Sequence, residues 1–357
     1  MNDVIRVLIA EDSELSWNLL KSILDSDPQI KVVGWAKNGR ECIEQIKRLN
    51  PNVITMDIHM PIMDGLEATR YIMENFPTPI LVVSAMVKDD ENMVFNLLKV
   101  GALDVIEKPK LQRGDLQDKV NDEVIQRVKA VSKVTPFRRF NHASEKTPPG
   151  DIQAVKNSER IPLRTLRESK CILVIGASTG GPPVLNAILK NIPDDFAFPI
   201  LVTQHIFNGF ISGLVKWLEK ECHKKVKIGL NQEPLRSGTI YLAPDHFHMG
   251  ISKERKILLS NGLPISGHRP SVDFLMESAA QVYGDACMGV LLTGMGRDGA
   301  IGLLAIKNAG GLTISQDEKS SAIFGMPKAA IDLGAAKKVC SIGQISKEIA
   351  HWAIQNK

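Results

Sequence analysis

The chain has 357 residues, is 44% hydrophobic and 24% charged, and carries a net charge of +4; these ordinary globular proportions argue against a disordered or fibrous chain. Five cysteines (Cys42, Cys171, Cys222, Cys287, Cys340) lie far apart with no Cys-x-x-Cys pair, which argues against a disulfide framework or a zinc module. No apolar run approaches the roughly 20 residues of a bilayer span, and the amino terminus lacks the basic and apolar regions of a signal peptide, so a cytoplasmic protein without direct membrane insertion is expected.

Taken in order, residues 4–10, 30–34, 53–57, 80–84 and 103–107 read as short apolar strands. Between the first two, Leu15, Leu19, Ile23 and Leu24 recur at helical spacing behind Ser13, a predicted N-cap. Val120, Val124, Ile125, Val128 and Val131 predict a last helix covering the sheet. Such alternation implies a doubly wound parallel α/β sheet, which places its chemistry at the carboxyl ends of the strands. From 133 to 169 the periodicity fades into Pro, Ser, Lys and Arg, including Thr147-Pro148-Pro149-Gly150, as in a linker.

A second α/β unit is expected over 170–357. Its predicted strands are 171–175, 199–203, 239–243, 256–259, 288–293 and 312–315, and its predicted helices 184–190, 210–222, 272–283 and 299–308. Residues 241–248 are a candidate hairpin. The division is therefore 1–132, a linker over 133–169, and 170–357. Charge divides unevenly too: residues 1–109 hold 11 basic and 17 acidic side chains, and residues 170–357 hold 20 and 15. An acidic front unit against a basic rear one favours docking of the two and attraction of an acidic partner. The basic side chains are scattered, with no recognition-helix or aromatic RNA-binding pattern, so no nucleic-acid partner is expected.

Two clusters carry chemistry. Glu11, Asp12 and Asp57 all fall at strand ends, where three carboxylates repel unless a cation neutralises them; oxygen ligands with open positions suit Mg²⁺. Lys108 would add positive charge, and Ser84 a hydroxyl for a phosphate oxygen on Asp57. In the rear unit, Gly176-Ala177-Ser178-Thr179-Gly180 fits Gly-x-Ser-x-Gly, a strand-to-helix turn that exposes a nucleophilic hydroxyl. The helix after it aims N–H groups at a developing oxyanion. A dinucleotide site is the competing reading, but Ala177-Ser178 breaks the Gly-x-Gly-x-x-Gly spacing. A serine nucleophile needs a base and an orienting acid. His205 and Asp298 both follow apolar strands and fall on the same edge as Ser178. His246, His248 and His268 form no motif that supports a metal site, although alternation would place His246 and His248 on one face of a strand.

The front unit resembles the receiver domain of bacterial response regulators, through Asp57-Ile58-His59-Met60-Pro61-Ile62-Met63-Asp64-Gly65 and Lys108-Pro109. The resemblance implies a flavodoxin-like five-stranded sheet and Mg²⁺-dependent phosphorylation of Asp57 by a histidine kinase, read out through Ser84 and Lys108. Where that family usually has an aromatic switch residue, this chain has Val105. The rear unit resembles the catalytic domain of chemotaxis protein-glutamate methylesterases, through residues 176–181, Thr203-Gln204-His205, 243–249, His268-Arg269-Pro270-Ser271-Val272-Asp273 and 292–299. That likeness implies a Ser178–His205–Asp298 triad, an oxyanion hole of the Thr179 and Met295 N–H groups, and no cofactor for the esterase. It implies as substrates the glutamate methyl esters, and specific glutamines, of a methyl-accepting chemoreceptor's cytoplasmic domain. A DNA-binding response regulator would instead need a short helix-turn-helix output. A hydrolase of another acyl substrate would carry the same residues.

Overall fold

A computed structural model describes residues 4–85, 91–110, 115–134 and 170–356. Most of the predicted linker, residues 135–169, lies outside the described residues. The first sheet comprises β1 (Ile5–Ala10), β2 (Ile30–Ala36), β3 (Val53–Asp57), β4 (Ile80–Ser84) and β5 (Asp104–Glu107), all parallel in the order β2-β1-β3-β4-β5. Central strands of this kind are covered by helices on both faces, so they read as unbroken apolar runs. The covering helices are α1 (Glu14–Asp25), α2 (Gly39–Leu49), α3 (Gly65–Asn75), α4 (Glu91–Val100) and α5 (Asp115–Ser132). Ser13 caps α1 as expected, its side chain accepting the Ser16 N–H.

The second sheet has seven parallel strands in the order β14-β13-β12-β6-β7-β9-β8. These are β6 (Ile172–Ala177), β7 (Ile200–Gln204), β8 (Lys225–Ile228), β9 (Thr239–Leu242), β12 (Cys287–Leu291), β13 (Leu312–Gln316) and β14 (Lys338–Cys340). Its helices are α6 (Gly181–Lys190), α7 (Ile211–Cys222), α8 (Val272–Tyr283), α9 (Ala300–Asn308), α10 (Met326–Asp332) and α11 (Ile342–Gln355). An antiparallel pair, β10 (His248–Ile251) and β11 (Ile257–Ser260), stands apart. The hairpin thus begins where it was expected to end. His246 is a correction: it lies in a turn at φ 66°, so it shares no strand face with His248.

One apolar cluster is continuous across both sheets. Phe95 on α4 stacks on Trp217 of α7, with ring centroids 5.6 Å apart, a geometry worth about 0.5–1.5 kcal/mol beyond the buried area. The ion pair crossing beside it, Lys99–Glu221 at 2.7 Å, puts the cation on the front unit and the anion on the rear. That polarity is opposite to the expectation from net charge, and the pair sits beside apolar packing that joins the two units.

Candidate functional site

Ser178, His205 and Asp298 all leave the carboxyl edge of the second sheet, after β6, β7 and β12, three adjacent strands. Ala177 and Gln204 are partners in the β6–β7 register. Ser178 and His205 are the next residues on each strand, and parallel neighbours lie about 4.8 Å apart. The Gln204 amide holds the two together by donating to the carbonyls of both Ser178 and His205, each at 2.8 Å. No role for Gln204 was legible in the sequence beyond its place beside the histidine.

The chain turns sharply after Ser178. Gly180 sits at φ 75°, a left-handed conformation that a Cβ would strain, and Pro182 and Pro183 start α6 where their missing N–H groups cost nothing. The Ser178 N–H donates to the Thr293 carbonyl (3.0 Å), and the Thr293 hydroxyl donates to the Thr179 carbonyl (3.0 Å). Gly294 then passes so close that a Cβ there would stand 2.6 Å from the Ser178 Cβ. Glycine at 294 is therefore what lets the Gly294–Gly296 turn lie against Ser178. The N–H groups of Thr179 and Met295 have no acceptor among the described residues.

His205 Nε2 lies 2.8 Å from Asp298 Oδ2. The Asp298 carboxylate accepts three further hydrogen bonds, from the Ser271 hydroxyl (2.8 Å) and the N–H groups of Val272 (2.7 Å) and Asp273 (3.1 Å) at the start of α8. Burial alone would push its pKa up, but the hydrogen bond and charge of His205 and these N–H donors outweigh that and hold it well below the usual carboxylate range. An ionised Asp298 keeps the ring proton on Nε2, which leaves the lone pair on Nδ1. Nδ1 is buried and has no hydrogen-bond partner. Ser178 Oγ makes no hydrogen bond to it, so the acid–imidazole half of the constellation is assembled and the imidazole–hydroxyl half is open. His268 stacks on the His205 ring, and His248 accepts the Ser271 N–H at 3.2 Å. Neither binds a metal cluster among the described residues.

The front unit covers this edge. Ser178 is 4%, His205 5% and Asp298 1% exposed. From α5, Arg127 donates to the Thr179 hydroxyl (3.2 Å) while paired with Asp104 and Glu123. The Leu103 carbonyl, just before β5, accepts the Gly180 N–H (3.1 Å). Both contacts fall on the two residues that follow the serine. Val105 is buried in β5; two residues before it Leu103 reaches the other unit, and Asp104 between them holds Arg127, which does the same. A crevice of about 910 Å³ remains between the units, lined by Leu103, Lys129, Gly180, Met295 and Phe324.

At the carboxyl edge of the first sheet, ligand oxygens of Glu11, Asp12 and Asp57 lie within 4.8 Å of one another. Lys108 Nζ is 2.7 Å from Asp57 and 2.9 Å from Glu11. Burial raises the Asp57 and Glu11 pKa values against the pull of Lys108, and each is raised further by a neighbouring carboxylate. Three carboxylates against one ammonium leave an uncompensated negative charge, which fits a divalent cation with oxygen ligands. Ser84 sits at the end of β4, its hydroxyl turned to the Ala85 carbonyl at 3.0 Å.

Family models match both units: "Response regulator receiver domain" over residues 7–121 and "CheB methylesterase" over 173–349. A Syntrophus aciditrophicus protein named protein-glutamate methylesterase/protein-glutamine glutaminase 1 is 42% identical over 98% of this chain and 99% of its own length. The chain belongs to the CheB methylesterase family. A Myxococcus xanthus member with the same activities in its name is 38% identical over 98% of the chain and 97% of its own length. The crystal structure of the Thermotoga maritima CheB methylesterase catalytic domain covers 51% of this chain and 98% of its own, at 37% identity and a TM-score of 0.50. The CheB family thus spans this chain end to end, receiver and catalytic sheet together. No helix among the described residues is long and apolar enough to cross a membrane.

Proposed function

We propose that this chain is a phosphorylation-controlled serine hydrolase that removes methyl groups from glutamate methyl esters of chemoreceptors and deamidates specific receptor glutamines. The observation that carries the reading is the His205–Asp298 hydrogen bond at the strand edge that bears Ser178, in a chain whose relatives are named for both activities.

In this reading His205 Nδ1 takes the proton of Ser178 as Oγ attacks the γ-glutamyl carbonyl. The N–H groups of Thr179 and Met295 receive the oxyanion, and Asp298 holds the ring and stabilises its cationic form. Methoxide is a poor leaving group, so the imidazolium returns a proton and methanol departs. Water, deprotonated by the same nitrogen, then hydrolyses the acyl-enzyme to the glutamate carboxylate. A glutamine side chain follows the same route and releases ammonia. General acid–base assistance contributes about 10²–10⁴ in rate, and one oxyanion donor about 10²–10³.

Control comes from the receiver. Glu11, Asp12 and Asp57 would hold a Mg²⁺, which supplies charge neutralisation between Asp57 and an incoming phosphoryl group. Asp57 accepts that group from a histidine kinase, and Lys108 and Ser84 bind its oxygens. Losing the Lys108–Asp57 pair as it stands here would rearrange the β4–β5 end and release Leu103 and Arg127 from the nucleophile turn.

Methanol release from methylated receptor, with and without a small phosphodonor, tests the reading. Activity that rises with phosphodonor and vanishes in Ser178→Ala supports it; a Ser178→Ala protein that releases methanol at the normal rate refutes it. A truncated 170–357 protein no faster than the unphosphorylated full chain would remove the inhibitory part.

A further inference from the structure

Asp298 and Asp273 occupy the first turns of one another's helices. Asp298, just before α9, accepts the N–H groups of Val272 and Asp273 at the start of α8. Asp273, inside α8, returns the arrangement: its Oδ1 accepts the N–H groups of Gly299 (2.9 Å) and Gly302 (2.8 Å) at the start of α9. The Gly299 N–H belongs to the peptide bond that Asp298 itself forms, so Asp273 grips the backbone directly behind the acid that faces His205. Both carboxyls are buried, Asp273 at 3% and Asp298 at 1% exposed.

From this reciprocal capping we propose that Asp273 is a positioning residue for the hydrolysis: it fixes the Asp298–Gly299 peptide and so the approach of the Asp298 carboxylate to His205. The proposal rests on Ser178, His205 and Asp298 acting as the triad. Capping alone would only stabilise two helices. The geometry adds a catalytic consequence. A misplacement of about 1 Å in a reacting constellation costs about 10²-fold in rate, and here one carboxylate oxygen anchors both the loop behind the acid and the helix that follows it. Asp273 itself is an awkward choice for a plain cap. Burial, only partly countered by the Gly302 N–H and reinforced by the charge of Asp298, pushes its pKa up to about 6.

The test is a double-mutant cycle in the full chain activated with acetyl phosphate, read as kcat and KM for methanol release from a methylated receptor fragment. Asp273→Ala should lower kcat by about 10–100-fold with KM moving less than about threefold. In an Asp298→Asn background the same change should move kcat less than about threefold, because its effect passes through a carboxylate already replaced. Losses that multiply, or a change confined to KM, overturn the proposal. Asp273→Asn keeps an acceptor oxygen for Gly299 and Gly302 and should recover most of the lost kcat; an asparagine protein that melts normally and is as slow as the alanine protein also overturns it. If the alanine protein does not fold, Asp273→Glu carries the same cycle, since it displaces the oxygen by one methylene. Ser178→Ala is measured alongside: residual activity there sinks the triad, whereas multiplicative losses sink only the role of Asp273.

Discussion

His268 lies flat against His205, with ring centroids 4.0 Å apart and 9° between the planes. Burial, helped by the proximity of His205 and opposed by Asp298, pushes the His268 pKa down to about 4. A neutral ring can stack on His205 without competing with it for positive charge. In the folded protein His268 therefore binds a proton less readily than at its ordinary pKa of about 6.5. The stability it contributes is present above that value and is lost as pH falls towards 4, by up to about 3 kcal/mol. His268→Phe keeps the stacking surface and should remove this part of the acid sensitivity. Denaturant melts at pH 7 and pH 4.5 should show a smaller difference in the phenylalanine protein than in the wild type.

Arg127 and Trp217 take part in the contact that covers Ser178. Replacing Arg127 with Ala removes the hydrogen bond to Thr179 and leaves Asp104 buried without its cation. Trp217→Ala removes the stack on Phe95. Trp217→Ala should raise basal methanol release without phosphodonor several-fold and shrink the further gain on phosphorylation. Steady-state rates with and without acetyl phosphate check it; unchanged basal rates would mean that the covering holds without this contact.

Gly294→Ala places a methyl group 2.6 Å from the Ser178 Cβ and against the sulfur of Met326. The turn must move, and with it the Met295 N–H. A loss in kcat of about 10² is expected. Labelling of Ser178 by an organophosphonate reports the same displacement independently of the receptor.

Phosphorylation of Asp57 should require a divalent cation. Chelation with EDTA should abolish incorporation from acetyl phosphate and restoration with Mg²⁺ should recover it, while Lys108→Ala should leave Mg²⁺ binding intact and weaken the response of esterase activity to phosphorylation. Methanol release from an isolated 170–357 protein should be indifferent to EDTA, because among the described residues the cluster suited to a metal is Glu11, Asp12 and Asp57 in the front unit.

Much of the fold was legible because both sheets are parallel and doubly covered, so the strands β1, β3, β4, β6, β7, β12 and β13 appear as plain apolar runs between helical patterns. The strand edges β8 and β14 escaped notice. Lys225-Val226-Lys227-Ile228 and Lys338-Val339-Cys340 are three or four residues long and carry lysines on the solvent side, too short for a period to register. His246 was misplaced because alternation presumes an extended backbone, and nothing in Pro244-Asp245-His246 announces a left-handed residue. The triad candidates stood out as polar residues at the ends of apolar runs. Their supports did not: Gln204 bonds to carbonyls, and Asp273 to N–H groups of another helix, which are tertiary relationships with no local signature. The polarity of the Lys99–Glu221 contact was likewise invisible to a sum of charges, since a docking face is chosen by its shape and apolar area.

If the receiver inhibits as proposed above, the hydrogen bond from Gly180 to Leu103 joins inhibitor to catalyst within a single polypeptide. A tethered blocker meets its target at a local concentration fixed by the tether, whatever the number of molecules per cell. Dilution cannot loosen it and overexpression cannot tighten it. Demethylation capacity in such a cell would then follow the fraction of molecules bearing phosphate, and a fluctuation in copy number would scale the resting and stimulated outputs together while leaving their ratio untouched.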